Sequence, residues 1–138
     1  MKAITREMLK IYVPISNLDW MNYRIVRKQD LTYHHIKKKC DGGKETIWNG
    51  ALLIPLSHNY LHLIENKELK TYIAINEIFR YINNQRKEPT TEQREIIEYL
   101  LREFEDKHRL DKTSKNKLLI KEDYLKRGTF WHVSFFMQ

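Results

Sequence analysis

The chain has a single cysteine, Cys40, in 138 residues. That excludes an internal disulfide and any structural zinc site needing two or more thiolates from this chain. Glycine and proline are also scarce, at four and three copies, and there is no internal repeat or low-complexity tract. With 41% hydrophobic residues and 12% aromatics, the composition is that of a globular domain, and the length suits one core better than two. The longest apolar run, Ala51 to Leu56, is far below the ~20 residues of a membrane span. The N-terminus, MKAITREMLK, lacks the apolar stretch of a secretory signal. A soluble, cytoplasmic protein is the expectation.

Acidic residues are in deficit, 18 Asp and Glu against 25 Lys and Arg, for a net charge of +7. The deficit is uneven. Residues 1–87 carry 15 basic against 8 acidic side chains, residues 88–111 carry 4 against 8, and residues 112–138 carry 6 against 2. A basic first part and tail suit contact with a polyanion. General solubility is the plainer reading of the same excess.

Two aromatic and β-branched runs, Tyr23 to Val26 and Leu31 to Ile36, read as strands separated by the polar turn Arg27 to Asp30. Asp41-Gly42-Gly43 is a turn, Ala51 to Ile54 a short buried strand ended by Pro55, and Ser57 a plausible N-cap for a helix carrying His58, Leu61 and His62. Leu69, Tyr72, Ile73, Asn76, Phe79 and Ile82 predict an amphipathic helix over Glu68 to Asn83. A second helix starts at a Thr91 cap, with Ile96, Ile97, Leu100, Leu101 and Phe104 inward and Glu92, Glu95, Glu98, Arg102 and Glu105 toward water. Ile4 to Val13 is ambiguous, and Thr129 to Met137 suits a terminal strand.

Four of the six histidines fall in Leu31 to Glu65. His58 and His62, at i and i+4 on a helix, project from one face and can reach one ion. His34 and His35 lie on a strand, where neighbours point to opposite faces, so only one of the two can join that ion. One ligand and one general base is the natural division. Three neutral imidazoles leave a tetrahedral ion with an open position, the form of a catalytic site. Nitrogen donors make zinc the first choice, with nickel, manganese or magnesium as alternatives.

The segments HHIKKKCDGG, WNGALLIPLSH and HNYLH together resemble the HNH endonucleases, the ββα-metal or His-Me finger nucleases: paired histidines, a Gly-Gly turn, an asparagine, then His-x-x-x-His. The resemblance covers about 35 residues. It implies an α+β fold with a ββα-metal finger core, two short antiparallel strands plus a helix, at about residues 20–66. Two longer helices buttress it over about 67–110, and a basic strand-like segment follows at 111–138, all within one domain. It further implies that His34, His58 and His62 bind the metal, that His35 is the general base, and that Asn49 braces the loop and the base. The implied activity is metal-dependent hydrolysis of DNA phosphodiester bonds, leaving 5′-phosphate and 3′-hydroxyl ends, in a prokaryotic or phage-infected cytosol. The chain departs from many family members in lacking Cys-x-x-Cys knuckles and in having Gly50 after the asparagine.

Lys37, Lys38, Lys39, Lys44 and Arg24 are candidates for phosphate contact, against the plainer reading of a solvated charge run. Cys40 could be a fourth ligand, but an incidental loop residue is the simpler view. His108 and His132 read as surface or packing residues, and Trp48, Trp131 and the C-terminal phenylalanines as core rather than base-stacking. The rival function keeps fold and metal without catalysis: a phage-encoded, anti-CRISPR-like inhibitor that binds a host defence nuclease as protein partner.

Overall fold

Residue spacing accounts for most of the architecture in the computed structural model, which describes residues 1–108. The proposed terminal strand, the basic tail, Trp131 and His132 lie outside the described residues. Over residues 1–108 the fold is α+β, in the order α1 (Ala3–Ile11), β1 (Thr32–His35), β2 (Gly50–Leu53), α2 (Pro55–Lys67), α3 (Leu69–Gln85) and α4 (Thr91–His108). Single 3₁₀ turns occur at Lys28–Asp30, Lys39–Asp41 and Ile47–Asn49. Strands β1 and β2 pair antiparallel, with His34 opposite Ala51 and His35 opposite Gly50. Among the described residues no helix is long and apolar enough to cross a membrane.

The ambiguous N-terminal segment is helical, with Thr5 and Met8 buried. Tyr23 to Val26 does not form a strand. Asn17 and Asn22 both take positive φ, 59° and 70°, and the Asp19 carboxylate accepts the N–H groups of Met21 and Tyr23 at 2.9 and 3.0 Å. A side chain thus satisfies backbone donors that a ladder would otherwise use. One bridge remains there, Leu18 to Arg24.

Helix α2 begins two residues before the proposed Ser57 cap. Ile54 is the N-cap and Pro55 takes the first helical position, where its missing N–H costs nothing. Ser57 is instead fully buried, its hydroxyl donating to Asp19. Helix α4 is capped by Thr90, one residue earlier than proposed. Gln93 N–H donates to Thr90 Oγ1 (3.2 Å) and Thr90 N–H donates to Gln93 Oε1 (2.9 Å), a reciprocal capping box.

Helix α4 also buries residues other than those expected. Glu98 and Glu105, proposed as solvent-facing, are buried, while Ile96 is 41% exposed. Their burial is matched by polar partners: Tyr60 donates to Glu105 (2.6 Å) and Asn22 Nδ2 reaches Glu98 (3.5 Å). Arg94, also buried, donates to the Asp19 carbonyl (2.8 Å), Asn22 Oδ1 (3.1 Å) and Ser16 Oγ (3.0 Å). It ties α4 to the loop before β1.

One apolar cluster runs from Met8 and Tyr12 of α1 through both strands to Ile64, Phe79 and Leu101. Phe79 stands under the site: its ring lies 6.0 Å from Trp20 and 5.8 Å from His34.

Candidate active site

The alternation of β1 separates the tandem histidines. His34 points inward and is 2% exposed; His35 shares the other face with Tyr33, its ring 4.9 Å away edge-on. Residues His58 and His62, one turn apart on α2, stack at 5.0 Å between ring centres. The His34 ring is 5.3 Å from His58 and 6.4 Å from His62. All four histidines border one hollow of about 270 Å³, with Tyr33, Lys38, Lys39, Glu65 and Tyr72.

Each inward imidazole is held at one nitrogen by a group that fixes its tautomer. Asn76 Nδ2 donates to the Tyr72 carbonyl (3.2 Å), which sets the amide so that Oδ1 faces His34; His34 Nε2–H donates to it at 2.8 Å. Thr32 Oγ1 donates to the Leu53 carbonyl (2.7 Å) and therefore accepts from His58 Nδ1–H (3.2 Å). The Glu65 carboxylate accepts from His62 Nδ1–H (3.2 Å). Among the described residues, Nδ1 of His34 and Nε2 of His58 and His62 keep their lone pairs unbonded.

Electrostatics reinforce this state. Burial pushes His34 down to about 3, helped by the neighbouring histidines and opposed by Asn76. Burial also lowers His58, with His62 and His35 adding to it, and lowers His62, with Lys38 adding to it. Three neutral imidazoles result, the form in which histidine binds a metal.

The spacing can be tested against an ion. Imidazoles sharing a tetrahedral ion at about 2.0–2.1 Å have ring centres about 5.2 Å apart. The 5.0 and 5.3 Å separations match, and the 6.4 Å one is wide by about 1 Å. As the side chains stand, no group of three or more His, Cys, Asp or Glu among the described residues is closed enough to hold an ion. The open side is His62, whose side chain is 52% exposed and bonded to Glu65. Donor type, tautomers and two of three separations fit an imidazole-preferring divalent ion.

Asn49 organises the loop that joins the strands. Its Oδ1 accepts from Lys37 N–H (2.7 Å), its Nδ2 donates to the carbonyls of Lys37 (2.9 Å) and Lys44 (3.0 Å), and its carbonyl accepts from Ile36 N–H (2.8 Å). The loop turns at Gly42, φ 89°. A Cβ at Gly43 would collide with the Lys37 carbonyl, so the two strand ends close only with glycine there. Gly50 is required for a similar reason, since the Tyr33 ring and Met8 sulfur fill the space a side chain would take.

Of the basic candidates, Lys38 and Lys39 border the histidine hollow. Lys37 is exposed at the loop base and Lys44 at its far side, neither lining that hollow. Arg24 sits in the separate loop bridged to Leu18. Cys40 is exposed and does not line the hollow. His108 packs on Phe104 and bonds Glu68 at 2.9 Å. Trp48 is not a core residue: it is 62% exposed, with the Arg86 guanidinium stacked on its ring 3.0 Å from the centre.

Four residues that matter here were not marked by the sequence pattern as site residues. Glu65 follows His62 by one helical turn and also pairs with Lys38; its i+3 spacing was the available signal. Thr32 precedes His34 by two on the same strand, and Asn76 interrupts an apolar stripe. Asp19, buried under the start of α2 with Ile54 N–H at 2.9 Å, carries no local sequence mark.

Comparison with protein-family models, with curated proteins and with solved structures finds no match to this chain.

Proposed function

We propose that the protein is a metal-dependent endonuclease of the HNH type, cutting DNA phosphodiester bonds. The observation that carries this reading is the set of three neighbouring neutral imidazoles, each with one nitrogen tied back and a lone pair on the other. Outer partners that fix ligand tautomers are the usual companions of a working metal site. His34, His58 and His62 would hold the ion, with zinc the first candidate. Bound there, a divalent ion supplies charge to offset that of the scissile phosphate and the leaving oxygen.

His35, beside but not among these three, takes the proton of the attacking water. Tyr33 flanks its ring and Asn49 holds the strand end on which it stands. Lys38 and Lys39 meet the phosphate charge at the mouth of the hollow. Lys38 is already oriented by Glu65.

The test is nicking of supercoiled plasmid with zinc, nickel, manganese or magnesium, beside His35→Ala. Cleavage by the wild type and at least 100-fold less by the variant supports the reading, as removal of a general base typically costs about 10²–10⁴. No cleavage with any metal, despite ion bound at the histidines by elemental analysis, overturns it. The runner-up, a binding module of the same fold directed at a host nuclease, draws on the exposed Trp48 and Arg86 stack. A stable protein complex that survives His35→Ala and is lost in Trp48→Ala would favour it.

A further inference from the structure

Beside the histidine hollow lies a second and larger one, about 490 Å³, and the two share a wall formed by Lys38 and Tyr72. Ile36 and Tyr72, 6% and 5% exposed, form its floor, and Leu69 and Ile73 of α3 line its side. These last two stand four residues apart on one face of the helix, and each is 56% exposed. Single apolar side chains on a surface are ordinary, but two neighbours lining one concave site form a patch that lacks its cover. The charges around the rim nearly cancel, Lys37, Lys38 and Arg80 against Asp41 and Glu77. A polyanion gains little from such a rim. The hollow suits an apolar occupant.

The chain itself supplies one. The described residues end with α4 at His108, whose Nε2 bonds the Glu68 carboxylate at 2.9 Å, with the Lys107 ammonium 3.2 Å from the same group. Glu68 immediately precedes Leu69, so α4 hands the chain on at the near end of the hollow. Beyond it come residues 109–138. Residues 129–137, TFWHVSFFM, include Phe130, Trp131, Val133, Phe135, Phe136 and Met137, six large apolar side chains in nine. They need a cover as much as Leu69 and Ile73 do. Residues 109–128 can span up to about 66 Å at about 3.3 Å each, whereas α3 from Leu69 to Arg80 is about 16 Å long at about 1.5 Å per residue. A connection of that length also keeps its two ends at high effective concentration, which favours this segment over any partner from solution.

We infer that residues 129–137 of this same chain occupy the second hollow, packed on Leu69 and Ile73. The inference stands apart from the nuclease reading, because it follows from packing and chain connection alone. Its consequence for the histidines is electrostatic. Residues 112–138 carry 6 basic against 2 acidic side chains, and docking brings that excess beside Lys38, which the two hollows share.

The single cysteine provides the probe. Cys40 is exposed and immediately precedes Asp41, which lines the hollow. The full chain carrying Ser134→Cys is treated at micromolar concentration with bismaleimidoethane, whose short arm tolerates some offset between the thiols. Mass spectrometry of tryptic fragments then compares the intramolecular cross-link with the product in which each thiol is capped separately. The cross-link should dominate. Adding Leu69→Glu and Ile73→Glu, both at exposed positions, should lower its yield ratio about tenfold, the shift expected from losing cover over two half-exposed aliphatic side chains. The circular dichroism spectrum should not change. An equal ratio in the two proteins overturns the inference, since the connection alone then brings the thiols together. So does the absence of an intramolecular cross-link, or cross-linked dimers in its place, the last assigning the hollow to a second copy of the chain.

Discussion

Asn76, in the middle of α3, accepts a hydrogen bond from His34 Nε2 at 2.8 Å across 42 residues of sequence. Its own Nδ2 is anchored on the Tyr72 carbonyl. The amide therefore chooses which nitrogen of His34 is bare. Asn76→Ala should lower zinc affinity by about 10–100-fold, the usual loss for an outer partner, measured by competition with a chromogenic chelator. Asn76→Asp, which keeps the acceptor, should retain most of it. Equal losses in the two variants would mean that Asn76 acts only through packing.

Glu65 holds two groups at once, His62 Nδ1 and the Lys38 ammonium. Glu65→Gln keeps a carbonyl for His62 but no longer neutralises Lys38. Metal affinity should fall by about tenfold, and DNA binding in EDTA should not weaken, because Lys38 is released toward phosphate. Weaker DNA binding in that variant would contradict the arrangement.

Asn49 makes three side-chain hydrogen bonds to the two ends of the loop. Their loss in Asn49→Ala should cost about 2–3 kcal/mol at roughly 1 kcal/mol per bond, read from urea unfolding. The nicking rate should drop more than stability predicts, since the loop ends at His35.

Glu68 sits at the corner between α2 and α3. Hydrogen bonds from Thr71 and His108, with Lys107 nearby, pull its carboxyl down to about 2. A lowered folded value means that the stabilisation is complete above about 4.5 and is lost as the pH falls toward about 2. The melting temperatures of wild type and Glu68→Gln should differ at pH 7 and converge by pH 2. A gap that persists unchanged at pH 2 would show that the charge is not what holds this corner.

The elements nearest the histidines were the most legible in the sequence. The alternation of β1, the Gly42-Gly43 turn and the long stripe of α3 follow from period and turn chemistry, and the structure has each within a residue or two. Tyr23 to Val26 misled because its β propensity is real but its backbone donors go to Asp19, a long-range choice invisible to a local window. Glu98 and Glu105 misled because charge is ordinarily a sign of solvent, and their partners Asn22 and Tyr60 lie 76 and 45 residues away. The same limit hid Asn76: its spacing placed it on α3's inner face, but nothing local connects it to His34.

Asn83, near the end of α3, donates to the carbonyls of Ile47 (2.7 Å) and Gly50 (2.8 Å), and its own carbonyl accepts from Tyr12 (2.6 Å). The carbonyls it binds lie on either side of Asn49, so the register of β2 is pinned from the helix and not only by its four-residue partner strand. Two strands of that length have little stability alone. The histidine-bearing finger is therefore not a portable cartridge. Cut out at residues 20–66 and grafted into a host, it would leave behind the helix that aligns it, and the transplant should stay unfolded even when zinc is supplied.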